Sequence, residues 1–165
     1  MATTGIAERI AYGRPLTFAE EAASPVHLVP RATTALIGRI LIASIFLVSG
    51  IAKLTDTANT AGYMTQVGIP HALTLAVIAG LCEVAGGLAI AFGFLGRLGA
   101  LGLFLFMIPT TIIFHGFWRL EGAEAKMQMV NFMKNLGIMG GLLLLVAQGP
   151  NRFSLDAKLR RPLDA

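Results

Sequence analysis

Between Ala72 and Leu95 the chain is apolar except for one charged side chain, Glu83. A helix over this run, at about 1.5 Å per residue, spans roughly the 30 Å hydrocarbon core of a bilayer and places Glu83 about 16 Å from its start, near the midplane. A carboxylate at that depth costs at least about 2.5 kcal/mol, so it must be paired, protonated or functional. The residues one turn away are Ala79, Gly80, Gly86 and Gly87. Side chains this small let a neighbouring helix come close, so the face that carries Glu83 points at other helices and not at lipid.

Composition agrees. The 165 residues are 55% hydrophobic and 13% charged, with a mean hydropathy of +0.72. That is too apolar for a soluble domain, and it makes the chain an integral membrane protein whose first partner is the lipid bilayer. The net charge of +4 arises from cations scattered at helix ends without interleaved aromatics. This argues for membrane orientation and against a nucleic-acid partner. Cys82 is the sole cysteine, which excludes an internal disulfide and a cysteine metal cluster. Residues 1–30 carry Glu8, Arg9, Arg14, Glu20 and Glu21 without an apolar core, so they do not read as a cleavable signal peptide.

The expected fold class is an all-α membrane protein, a four-transmembrane-helix bundle. Residues 1–33 read as a polar arm, flexible or interfacial, and 34–149 as the membrane domain. Its helices are expected at about 34–54, 72–95, 98–118 and 127–148. Arg39 and Lys53 near the ends of the first helix are expected to snorkel. Residues 55–71 read as a loop, and Gly96-Arg97 as a tight turn that makes the second and third helices antiparallel neighbours. Pro109 predicts a kink near Leu105. Residues 119–126 read as a charged loop. Residues 150–165 read as a basic amphipathic tail with Ser154 as an N-cap. Arg31, Arg39, Arg97, Arg152, Lys158, Arg160 and Arg161 fall on one side and Lys53, Arg119, Lys126 and Lys134 on the other, seven cations against four. The positive-inside rule then places both termini in the cytoplasm.

In this topology Lys53, His71, Glu83, His115, Asn131, Lys134 and Asn135 share the outer half of the bundle. Glu83 is expected to pair with Lys134 or Lys53. The pair either fixes helix register or handles a proton. The fourth-helix face with Asn131, Lys134, Gly137, Ile138 and Gly141 reads as an interior face. Asn131 and Asn135 suit interhelical hydrogen bonds. A metal at His115 would need His71 as a partner, and no metal site is assigned. Phe104, Phe106, Phe114, Phe117 and Trp118 read as lipid contacts and an aromatic belt before a quinone cleft.

These segments resemble a known family. SGIAKL at 49–54, GIP at 68–70, CEVAGGLAIAFG at 82–93 followed by Arg97, FHGFW at 114–118, NFMKNLGIMGGLLLL at 131–145 and FSLD at 153–156 are similar, in order, to the DoxX family of small bacterial membrane proteins. The resemblance covers about residues 34–156. It implies a four-helix protein of the bacterial cytoplasmic, or inner, membrane. It also implies a link to thiosulfate:quinone oxidoreductase or to membrane oxidoreductase complexes in oxidative-stress defence, although many members have no assigned activity. The family's polar signature falls on Lys53, Glu83, His115, Lys134 and Asn135.

Three functions fit. The first is a redox-linked subunit that binds a quinone or small acidic ligand in the outer half and works with a partner oxidoreductase. There Glu83 would handle the proton, Lys53 or Lys134 would hold an anion and His115 would bond the ring. The chain has no recognisable cofactor motif, so as an enzyme it would be a non-autonomous subunit. The second is a non-catalytic scaffold whose Glu-Lys pair only fixes packing. The third is a small-solute transporter, which with four helices would require a homo-oligomer.

Overall fold

In the computed structural model, residues 31–149 and 153–159 are described, and they are all helix, turn and coil without a strand. The readings of residues 1–30 as a polar arm and of the tail beyond Leu159 lie outside them. Helix α1 spans Arg31–Thr55, α2 Thr57–Gln66, α3 Ala72–Phe92 and α4 Gly96–Phe114. A 3-10 turn at Phe117–Arg119 leads into α5, Gly122–Gln148, and a short α6, Leu155–Leu159, ends the described chain. Four segments, Ala32–Thr55, Ala72–Phe92, Gly96–Arg119 and Gly122–Gln148, are long and apolar enough to cross a membrane.

Small residues set how these helices meet. A Cβ on Gly50 of α1 would lie 2.8 Å from the Gly80 carbonyl oxygen of α3, and one on Gly87 would lie 2.9 Å from Leu47. One on Gly86 would strike Leu103 of α4, and one on Gly141 of α5 would come within 2.9 Å of Ile42. The registers 50 with 80 and 47 with 87, 86 with 103 and 89 with 99, and 135 with 111 and 128 with 115 run in opposite directions, so α1–α3, α3–α4 and α4–α5 are antiparallel. The bundle therefore goes up, down, up, down, with α1 also meeting α5. Ala43, Phe46, Ile90, Ala100, Leu103, Met107 and Leu142 fill its centre.

Several boundaries differ from the sequence reading, each for a local reason. The expected loop at 55–71 contains α2. Asp56 caps it by accepting from the Asn59 amide at 3.3 Å, and Ala61 and Met64 are buried in a second cluster with Ala72, Ala76 and Ala79. Thr and Asn are weak helix formers, so the packing decides. Helix α3 stops at Phe92 because Gly93 turns left-handed (φ 64°, ψ 35°) and sends its N–H back to Ala89 and Ile90. The turn before α4 is thus 93–95, and Gly96 and Arg97 already belong to α4. Helix α4 runs through Pro109 but stops at Phe114, and α5 begins at Gly122, inside the expected charged loop.

The FSLD segment closes one end of the bundle. The Asp156 carboxylate accepts from the Leu95 amide at 3.0 Å and the Gly96 amide at 3.2 Å, capping α4. Ser154 is buried and its Oγ accepts from the Ala157 amide at 3.1 Å. Arg39 does not snorkel. It is 3% exposed, and its Nη2 donates to the Phe153 carbonyl at 2.8 Å. Helix α1 starts at Arg31, so Arg39 lies about 12 Å inside it. Arg97 Nη2 reaches the last carbonyls of α5, Ala147 at 3.3 Å and Gln148 at 3.4 Å, as a cation at a helix C-terminus should.

Candidate functional site

Glu83 meets Lys53. Lys53 Nζ lies 2.9 Å from Glu83 Oε2 and 3.1 Å from Oε1, and it also donates to Ser49 Oγ at 2.6 Å. One turn from Lys53 is Gly50 and one turn from Glu83 is Gly80, the point where the α1 and α3 backbones touch. The close crossing brings the two side chains together, and the third acceptor, Ser49, comes from Lys53's own helix, four residues back. The pair is unevenly covered: Glu83 is 6% exposed at its side chain and Lys53 is 23% exposed. The result is a bidentate ion pair between two spanning helices, with its ammonium side more exposed than its carboxylate.

Lys134 is not part of it. It lies on the exposed outer face of α5, as do Met133 and Gly137, so the fourth-helix stripe read as interior faces outward at its polar end. Leu142 is the residue of α5 that is buried. Asn135, one position further round, does turn inward and donates from Nδ2 to the buried Thr111 Oγ1 at 3.1 Å. Asn131 is half-buried and forms no side-chain hydrogen bond with a described residue. His115 caps the C-terminus of α4, and its Nδ1 donates to Gln128 Oε1 at 2.8 Å. His71 is exposed at the start of α3 with a left-handed backbone (φ 51°). Among the described residues no three His, Cys, Asp or Glu side chains group around a common point.

The expected single constellation is therefore three separate contacts. Gly86 faces Leu103 and Ala89 faces Gly99, so Glu83 is level with about residue 106 of α4. Thr111 then lies about 8 Å further along α4 and His115 about 14 Å, at about 1.5 Å per residue. The Lys53–Glu83 pair joins α1 to α3, Asn135–Thr111 joins α5 to α4, and His115–Gln128 ties the C-terminal end of α4 to the first turns of α5. Thr111 and Gln128 are the partners that the sequence reading misses. Ser49 was signalled by its spacing of four from Lys53, but Thr111 and Gln128 carry no comparable mark. The aromatics form edge-to-face contacts among Phe117, Trp118 and Phe132, and Tyr63 stacks on Phe114 at 5.7 Å, around the end of the bundle where α4 finishes. Cys82, next to Glu83 in sequence, is exposed on the other face of α3.

The DoxX family pattern matches residues 34–116, half of the chain. The chain is similar to inner membrane protein YqjF of Escherichia coli, with 42% identity over 76% of this chain and 92% of that protein. It is also similar to inner membrane protein YphA of the same organism, with 35% identity over 74% of this chain and 88% of that one. An uncharacterized membrane protein of Mycobacterium tuberculosis, Rv3486, is 27% identical over 74% of this chain and 79% of its own length. No solved structure matches significantly. With four apolar spanning helices and relatives of this kind, the chain is a multi-pass inner membrane protein and belongs to the DoxX family.

Proposed function

We propose that this protein is a redox-linked membrane subunit that binds a quinone or small acidic ligand at the Lys53–Glu83 pair and works with a partner oxidoreductase. The observation that carries the reading is the half-open ion pair. Glu83 is shielded while part of the Lys53 side chain is exposed at the α1–α3 seam, so an incoming oxygen can compete for the ammonium. Glu83 would then be released to hold or pass a proton, a role that intramembrane carboxylates commonly serve. His115 and Lys134 are displaced from the ligand in this scheme, since one is tied to Gln128 and the other faces outward. Electrons would come from the partner. The orientation that goes with it, from the cation count, has both termini in the cytoplasm and the pair in the outer half.

A second reading is favoured by a different observation. Glu83 Oε1, Glu83 Oε2 and Ser49 Oγ together satisfy all three donors of Lys53, which suits a scaffold whose ion pair only pins α1 to α3. The two separate on the thermal stability of detergent-purified protein with and without a short-chain quinone. The redox reading expects wild type to gain several degrees and Glu83→Gln to gain none. Absence of a gain in wild type, with a large loss of ligand-free stability in Glu83→Gln, would leave the scaffold.

A further inference from the structure

The end of the bundle opposite the Lys53–Glu83 pair holds a second, differently built charge. Arg39 is 3% exposed, and only its Nη2 is bonded, to the Phe153 carbonyl. Its Nε and Nη1 are buried without a hydrogen-bond partner. No carboxylate of a described residue lies within ion-pair distance of it. Asp156, on the same closing segment, is engaged with the amides of Leu95 and Gly96. Guanidinium does not lose its proton in proteins, so the usual escape of a buried base is closed to Arg39. A buried cation with neither counter-charge nor full hydrogen bonding is strongly unfavourable.

Beside it, between α1 and α5, runs a groove of about 160 Å³ with Arg39 in its wall, lined also by Ala35, Gly38, Ile42, Gly141, Leu144 and Gln148. Its width comes from missing side chains: a Cβ on Gly38 would meet nothing within 4 Å. The volume suits a headgroup and the start of an acyl chain, well below the roughly 300 Å³ at which drug-sized pockets begin. Arg97 is not a lining residue but lies against one. Its Nε would lie 2.5 Å from a Cβ on Gly149, so a second guanidinium stands one residue away from the groove.

We propose that this groove binds a phosphate oxyanion, carried on the headgroup of an anionic phospholipid, with Arg39 as the principal ligand and Arg97 as a second positive charge. Nε and Nη1 are buried here, so binding would require the guanidinium to turn towards the groove. Arg pairs with phosphate oxygens through two parallel N–H donors, and Arg39 can offer such a fork by adding its unbonded Nε–H or Nη1–H to the second Nη2–H, the first being held by the Phe153 carbonyl. The apolar stretch at Ile42 and Leu144 takes the adjoining chain.

The test is thermal unfolding of delipidated, detergent-purified protein titrated with phosphatidylglycerol, phosphatidylcholine or inorganic phosphate. It is run on wild type, Arg39→Gln and Gly38→Leu, the last of which fills the groove without touching the charge. A saturable rise of several degrees with phosphatidylglycerol and not with phosphatidylcholine is expected in wild type, with apparent affinity at least tenfold weaker in both variants. Inorganic phosphate giving the whole shift would support the oxyanion site and overturn the lipid as its source. No shift in wild type, an equal shift with phosphatidylcholine, or a full phosphatidylglycerol shift in Gly38→Leu would overturn the proposal. If Arg39→Gln does not fold, Gly38→Leu decides.

Discussion

At the scale of single residues, the Lys53–Glu83 pair has an asymmetric energetics that a mutant cycle exposes. Removing one partner leaves the other charge uncompensated in a low-dielectric setting, and such losses reach about 3 kcal/mol, with Lys53→Met leaving the better-buried Glu83 as the worse orphan. Replacing both, Lys53→Met with Glu83→Leu, should recover most of that loss, because two desolvated charges contribute little net stability over apolar residues. Denaturant or thermal unfolding of the three variants checks this, and a double variant as unstable as the sum of the singles would show that the pair does not act as a unit. Glu83 was legible in the sequence because one charge in an apolar run stands out at any depth. Its partner was narrowed to two lysines, since depth along a helix follows from residue count. The choice between them depends on rotation about the helix axis, and Lys134 is turned outward while Lys53 stands beside the Gly50–Gly80 contact.

At the scale of elements, the α1–α3 crossing and the α4 cap are the contacts most sensitive to small changes. A methyl at Gly50 would lie 2.8 Å from a backbone oxygen that cannot move aside, so Gly50→Ala should cost about 2 kcal/mol and separate Lys53 from Glu83. Gly137, whose Cβ would meet nothing within 4 Å, should accept Ala with a change within about 0.5 kcal/mol. Thermal unfolding of the two variants side by side separates a packed glycine from a merely present one. Asp156→Ala should cost about 1 kcal/mol by uncapping α4, and limited proteolysis should then find the α6 segment more readily. The small-residue faces were legible from spacing alone. Helix α2 was not, because Thr57, Asn59, Thr60 and Gly62 have poor intrinsic preference and only the burial of Ala61 and Met64 against α3 reveals the helix.

At the scale of the whole molecule, much of the apolar surface faces outward. Leu41, Val48, Leu73, Leu98 and Leu144 are each more than half exposed, as lipid-facing side chains are. Helix α5, at about 40 Å, exceeds the roughly 30 Å core, so its first turns with Glu124 and Lys126 have room to stand outside it. The proposed orientation predicts that a reporter fused after Ala165 is active only in its cytoplasmic form and that one placed in α2 reads out on the opposite side. A reversed result would invert the topology and move the Lys53–Glu83 pair to the cytoplasmic half. By itself the sequence determined the class of molecule, the four spans, their antiparallel order and the presence of a costly charge, because these depend on hydrophobicity, length and connection, which are local properties of the chain. Only the tertiary structure decided that Lys53 and not Lys134 meets Glu83, that Arg39 is buried beneath Phe153, and that three polar contacts replace one cluster. Those outcomes depend on how each helix is rotated towards its neighbours, and that is fixed by packing between residues distant in sequence.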